Sequence, residues 1–247
     1  MTRKLNLCTL LLAAALVALP LSARADGPKV VLELFTSQGC SSCPSADSLL
    51  GELAESRDDV VALSFHVDYW DYIGWEDRFA TTETTERQRA YARHLGVAYV
   101  YTPQLVVDGA RHVVGSNRRA VNDAIDVSKS VKARRAPVSI TSSAPDRLTV
   151  EIGRSEGYYG DATVWLVSVD RQHETAVDAG ENQGRTLSNY NVVRAFRPVG
   201  RWTGGAMTLE LGPDELSGTA NGCAILVQEN QGKGRIMGGD MVWLDES

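Results

Sequence analysis

The sequence predicts an α/β domain over residues 26–135 followed by an all-β, sandwich-like domain over 136–247, behind a signal peptide at 1–25. Three observations carry this. A strand-like run, 29–35, leads through a short polar turn into Cys40-Ser41-Ser42-Cys43 and then an apolar helical stripe of Leu49, Leu50 and Leu53. Strand and helix patterns alternate as far as Ala136-Pro137. Beyond that point only short β-like runs occur, separated by glycine-rich turns.

The first residues read as a secretory signal. Arg3 and Lys4 form a basic start, 10–19 an apolar stretch too short for a bilayer span, and Ala23-Arg24-Ala25 a small-x-small cleavage site. Loss of Arg3, Lys4 and Arg24 takes the formal net charge from −6 to −9. So acidic a chain argues against nucleic acid and anionic membrane surfaces as partners. No later stretch is long and apolar enough to span a membrane. The expected address is periplasmic or secreted, where disulfides persist.

Of the four cysteines, Cys8 leaves with the signal. Cys223 sits in an apolar run and reads as a buried, inert thiol. Cys40 and Cys43 are close enough to pair with each other. At a helix start, free backbone N–H groups and the helix dipole favour a thiolate at Cys40, which makes it the nucleophile of a redox pair. A structural zinc site would need a second ligand pair, and no other CxxC and no HxxxH occurs.

The second strand, 60–67, is nearly all apolar, as for a strand buried on both faces. With the preceding helix it completes a βαβ unit, so both strands end on one side of the sheet. The loop His66-Val67-Asp68-Tyr69-Trp70-Asp71-Tyr72-Ile73-Gly74-Trp75 therefore lies beside the cysteines. Tyr69, Trp70, Tyr72 and Trp75 are expected to wall a groove over them. Residues 82–95 read as a helix ended by Gly96. A strand leading to Val107, the turn Asp108-Gly109 and the returning strand 111–114 read as a hairpin. Asn117 is an N-cap candidate for a final helix through Val121 and Ile125.

This order, with a CxxC after the first strand and Thr102-Pro103 before the third, resembles the thioredoxin fold. The resemblance implies a thioredoxin-like domain in which Pro103 is cis and faces the disulfide, and Thr102 pairs with a substrate backbone. It also implies a buried acid near Glu33 that accepts a proton from Cys43; Glu33 is offset by one residue from the usual place. Residues 33–44, the His66–Trp75 loop and Tyr101-Thr102-Pro103-Gln104 further resemble a secreted bacterial thioredoxin-like family, DUF1223, a domain of unknown function.

The expected function is thiol–disulfide exchange with an extracytoplasmic protein, with no cofactor beyond the redox-active disulfide. Cys40 and Cys43 are the reacting pair, Glu33, His66 and Pro103 their supports, and Thr102, Tyr69, Trp70 and Trp75 the substrate contacts. Ser41-Ser42 departs from the dipeptides of well-known relatives, which leaves the direction of electron flow open. Two alternatives stay open: a copper chaperone holding the metal through Cys40, Cys43 and His66, since soft thiolates and imidazole suit Cu(I), and a non-catalytic binding protein.

The second half offers β-like runs at 138–140, 148–152, 162–170, 175–178, 207–211, 223–228 and 241–244, with 191–194 a further candidate. No catalytic constellation is legible there. His173, Asp178 and Glu181 read as residues of a solvated turn.

Overall fold

The computed structural model describes residues 27–244 apart from Lys132, Pro145, Tyr159 and Thr219; the expected signal peptide lies outside the described residues. Strand β1 (Val30–Thr36) leads through the cysteine turn into α1 (Pro44–Ser56), and β2 (Val60–His66) returns parallel to β1, with Val30 opposite Val60 and Thr36 opposite His66. Helix α2 (Thr82–Leu95) follows the aromatic loop. Its N-cap Thr81 and Thr84 form a reciprocal capping box, and Gly96 ends it at a φ of 68°. Strands β3 (Gln104–Val107) and β4 (Arg111–Val114) pair antiparallel. Asp108 and Gly109 both have positive φ, the conformation a tight hairpin requires. Helix α3 (Arg118–Ser130) starts at Asn117, whose side chain accepts from the Ala120 N–H.

Seven strands follow: β5 (Val138–Ala144), β6 (Arg147–Ile152), β7 (Ala162–Ala176), β8 (Thr186–Trp202), β9 (Met207–Leu211), β10 (Gly222–Gln228) and β11 (Ile236–Trp243). The long hairpin β7–β8 absorbs the separate runs expected at 162–170, 175–178 and 191–194. The apolar alternation lapses where exposed Arg171, Gln172 and Glu174 occupy β7, so one strand reads as two.

The strands beyond residue 136 do not all form a separate sandwich. Ser64 of β2 pairs in parallel with Val192 of β8, and this joins strands of both halves in one eight-stranded sheet of order β11-β10-β7-β8-β2-β1-β3-β4. The architecture is mixed α/β with a large, mostly β sheet. Strands β5, β6 and β9 form a second, three-stranded sheet facing the β7–β8–β10–β11 part, with Val150, Ile152, Leu166, Trp202 and Ile225 between them. Sandwich packing is present, but one layer continues the sheet of the first half.

Alternation along the central strands explains their continuous apolar runs. Val30, Leu32 and Leu34 of β1 face α1 and α3 with Leu50, Leu53 and Ile125. Val31 and Phe35 face the opposite side and join Tyr91 of α2, Val167 of β7 and Leu226 of β10 in one cluster. That cluster spans both halves of the chain. Each fully buried Val, Leu or Phe in it contributes roughly 1.5–3 kcal/mol.

Candidate functional site

The N-terminal end of α1 is set by Pro44 in its first turn, where a missing N–H costs nothing, with Cys43 at the cap. The turn before it closes through Cys43 N–H to Cys40 O (3.2 Å) and Cys40 N–H to Ser37 O (3.2 Å). This brings the two cysteines to a Cα–Cα distance of 5.4 Å, and they form a disulfide. Cys40 is 1 % exposed and Cys43 fully buried, although Ser41 and Ser42 between them are exposed.

The cover comes from two places. Trp70 and Ile73 of the aromatic loop pack on Gly39, where a side chain would lie 3.1 Å from Trp70 Cβ. The turn 177–185 at the tip of the β7–β8 hairpin lies over the cysteine turn itself. Asn182, fully buried, donates from Nδ2 to Gln38 O (2.9 Å) and Cys40 O (3.0 Å). The Ser41 N–H donates to Glu181 Oε2 (3.0 Å), and the Ser41 hydroxyl together with that N–H holds the carboxyl below the ordinary glutamate range.

Gln38 ties the cysteine turn to its surroundings. Its N–H donates to Asp77 Oδ2 (2.8 Å), its amide nitrogen to Thr175 Oγ1 (3.1 Å) and Asn189 Oδ1 (2.9 Å), and its Oε1 accepts from Trp75 Nε1 (3.1 Å).

Next to the cysteine turn lies a buried group of ionisable side chains. Asp47, one turn along α1 from Cys43, is pushed up to about 7 by burial, which the nearby His66 only partly opposes. His66, at the end of β2, contacts Asp77 through Nδ1 at 2.7 Å. Burial would lower its pKa, but Asp77 turns the shift upward. Burial would raise Asp77, yet His66 and the Gln38 and Phe79 N–H groups hold it below the usual carboxylate range. Asp47 Oδ1 and His66 Nε2 are buried with no hydrogen-bond partner among the described residues.

The Thr102-Pro103 bond is cis. Pro103 Cβ and Ala46 Cβ both lie within 3.5 Å of the point a side chain on Gly115 would occupy, which brings the proline and the first turn of α1 to the two sides of Gly115. Trp70 Nε1 donates to Thr102 Oγ1 at 2.8 Å. Trp70 and Trp75 thus contact this neighbourhood directly. Tyr69 is turned inward beside Trp70, and burial pushes its hydroxyl up to about 12.

Glu33 does not join this group. It lies on the other face of the sheet, where Arg87 donates to Oε1 at 2.7 Å and Tyr91 OH to Oε2. His66 is brought near, but its contact is to Asp77. Among the described residues no three His, Cys, Asp or Glu side chains are arranged to hold a metal ion. Cys223 is buried in the sandwich core, its thiol pushed up to about 12 by burial. Among the described residues no helix is long and apolar enough to cross a membrane.

Sequence reasoning missed Asp47, Asp77, Gln38, Glu181 and Asn182. Only Asp47 had a usable signal: it stands three residues before Leu50, on the helix stripe that faces the core. Asn182 lies 142 residues from Cys40, beyond any local pattern.

Fold and site define a mixed α/β protein with a CxxC disulfide at the head of a helix. The family described as "Protein of unknown function (DUF1223)" matches residues 31–228, and the chain belongs to that family. A protein from Agrobacterium tumefaciens, solved by X-ray crystallography, is 34 % identical with a TM-score of 0.77, over 90 % of this chain and 97 % of its own. HBP35 of Porphyromonas gingivalis shares 16 % identity with a TM-score of 0.60, over 90 % of this chain and 76 % of its own, a likeness of fold alone. No curated protein matches.

Proposed function

We propose that the protein is an extracytoplasmic thiol–disulfide oxidoreductase, built on a thioredoxin-like core, that exchanges with protein partners through Cys40 and Cys43. The observation that carries this is the disulfide at the head of α1, with the cis Thr102-Pro103 segment across Gly115 from the same helical turn and a carboxyl of raised pKa one turn along α1 from Cys43.

In the reducing direction, the Cys40 thiolate attacks a partner disulfide, forms a mixed disulfide and releases one partner thiolate. The Cys43 thiolate then attacks Cys40 Sγ and releases the second. Two electrons pass to the partner and the Cys40–Cys43 bond forms. The oxidising direction is the reverse. Cys43 is buried and must lose its proton to attack, so a nearby acceptor that titrates around neutrality is required. Asp47 suits that role better than Glu33, which Arg87 and Tyr91 occupy. The His66–Asp77 pair positions charge next to Asp47.

Cys40→Ser is expected to abolish insulin reduction and Cys43→Ser to trap mixed disulfides with partners. Exchange at the wild-type rate in Cys40→Ser would end this reading.

The burial of both cysteines favours a second reading, a binding protein with a structural disulfide. The reduction potential separates the two. Below about −300 mV the bond is structural, whereas a redox pair lies well above that value.

A further inference from the structure

We propose that the turn 177–185 is a strap that holds the Cys40–Cys43 disulfide closed, and that an extended polypeptide segment of the partner replaces it on Gln38 O, Cys40 O and Ser41 N. The polypeptide occupant rests on the oxidoreductase reading above; the strap does not.

Three features support the strap. First, it covers. Both sulfur-bearing residues are buried while Ser41 and Ser42 face solvent, and the turn is bonded to backbone on either side of Cys40. Second, it is held lightly. Asp178, Glu181, Gln183, Gly184 and Arg185 are exposed, and three hydrogen bonds through Asn182 and Glu181 join the turn to the cysteine turn; Val177 is buried at its base and Gly180 lies against Ile73 and Trp75. Segments of that kind open at low free-energy cost. Third, it can move as a unit. Val177 N–H donates to Arg185 O (2.9 Å) and Gly184 N–H to Val177 O (2.8 Å), which close the hairpin below the turn. Gly180 and Gly184, at φ of 74° and 79°, bracket the tip in a conformation that glycine adopts without penalty. Lifting the tip leaves the β7–β8 ladder whole.

The choice of occupant follows from what the strap imitates. The Asn182 amide supplies N–H to two carbonyls, and its Oδ1 is pinned by Arg185 at 2.8 Å so that the N–H side faces Gln38 and Cys40. The Glu181 carboxylate supplies an acceptor to Ser41 N–H. A donor and an acceptor offered side by side to exposed backbone are what an extended peptide presents from its own main chain.

The test is the rate at which dithiothreitol, itself oxidised to its cyclic disulfide, reduces Cys40–Cys43 in the folded protein. Thiols are trapped with N-ethylmaleimide and counted by mass after denaturation, with Cys223 as a constant background. Asn182→Ala removes both amide bonds to the cysteine turn, together with the Arg185 contact that orients that amide, and should accelerate reduction by about tenfold to thirtyfold. Replacement of 178–184 by Asn-Gly, a two-residue turn that closes the same ladder, should accelerate it at least as much and stands in if Asn182→Ala fails to fold. A polypeptide that displaces the strap gains less from its removal. Asn182→Ala should therefore raise exchange with oxidised glutathione more than exchange with insulin. Wild-type reduction rates in both variants, with native near-ultraviolet dichroism, would overturn the strap. Equal acceleration toward glutathione and insulin would overturn the polypeptide occupant. Accelerated reduction by dithiothreitol with no insulin exchange in any form would remove the oxidoreductase reading and that occupant, and leave the cover standing.

Discussion

Two polar clusters are buried on opposite faces of the same sheet, and they are finished differently. On the α2 face, Glu33 takes Arg87 and Tyr91, and Gln228 of β10 accepts from Arg87 (3.0 Å) and donates to Tyr91 OH (2.7 Å) and Gly234 O (2.8 Å). None of the four side chains keeps a fully buried polar atom without a partner, and the cluster ties β1 and α2 to β10. On the α1 face, Asp47 and His66 each keep a buried polar atom without one. A complete network in a low-dielectric interior fixes one packing arrangement. An incomplete one leaves a group whose charge is poorly supported, and that is where proton affinity moves toward neutrality. The first cluster is scaffold for the junction of the two halves. The second holds the buried carboxyl to which the proposed exchange assigns the proton of Cys43.

This contrast is sharpest in Arg87→Met. It leaves Glu33 buried without its cation and should cost about 3–5 kcal/mol in urea unfolding. A cost below about 1 kcal/mol would mean that the α2-face cluster is not scaffold. Asp47→Asn should act in the opposite sense. Asp47 is raised on folding to about 7, so the folded state binds more protons than the unfolded one between about pH 4 and 7. Stability contributed by this group is greatest below pH 4 and declines as pH rises to about 7. The variant should flatten that slope, be more stable than wild type at pH 8 by a few kcal/mol, and slow the resolving step at Cys43. An unchanged slope would place Asp47 outside the titrating group. Thr81→Ala touches neither cluster. It removes the N-cap of α2 and should cost about 1 kcal/mol, with no change in the rate at which dithiothreitol reduces the disulfide.

Much of the first half was legible because its signals are local. A two-cysteine turn between strand and helix patterns needs only a few residues to be recognised. The Asp108-Gly109 hairpin and the Asn117 helix start likewise rest on conformations of one or two residues. Glu33 shows where that legibility ends. The strand-like run 29–35 contains it, but nothing nearby says that Arg87, 54 residues on, claims it. The β7–β8 hairpin shows the same limit. Its polar stretch lacks the apolar alternation of a strand, because parts of it are ordered by partners such as Gln38 rather than by an apolar core.

The amino-acid sequence alone therefore determined the cysteine turn, the helix behind it and the strand alternation that carries them, since these follow from backbone preference and apolar spacing within a few residues. The tertiary structure decided the rest: that β2 meets β8 and makes one sheet of two halves, that Asp47 is buried next to His66, and that Asn182 closes over Cys40. The first and last depend on surfaces that meet after the chain has folded back over more than a hundred residues, and the second on how α1 packs across the end of β2. No local preference encodes that meeting, because its free energy exists only once both surfaces are formed.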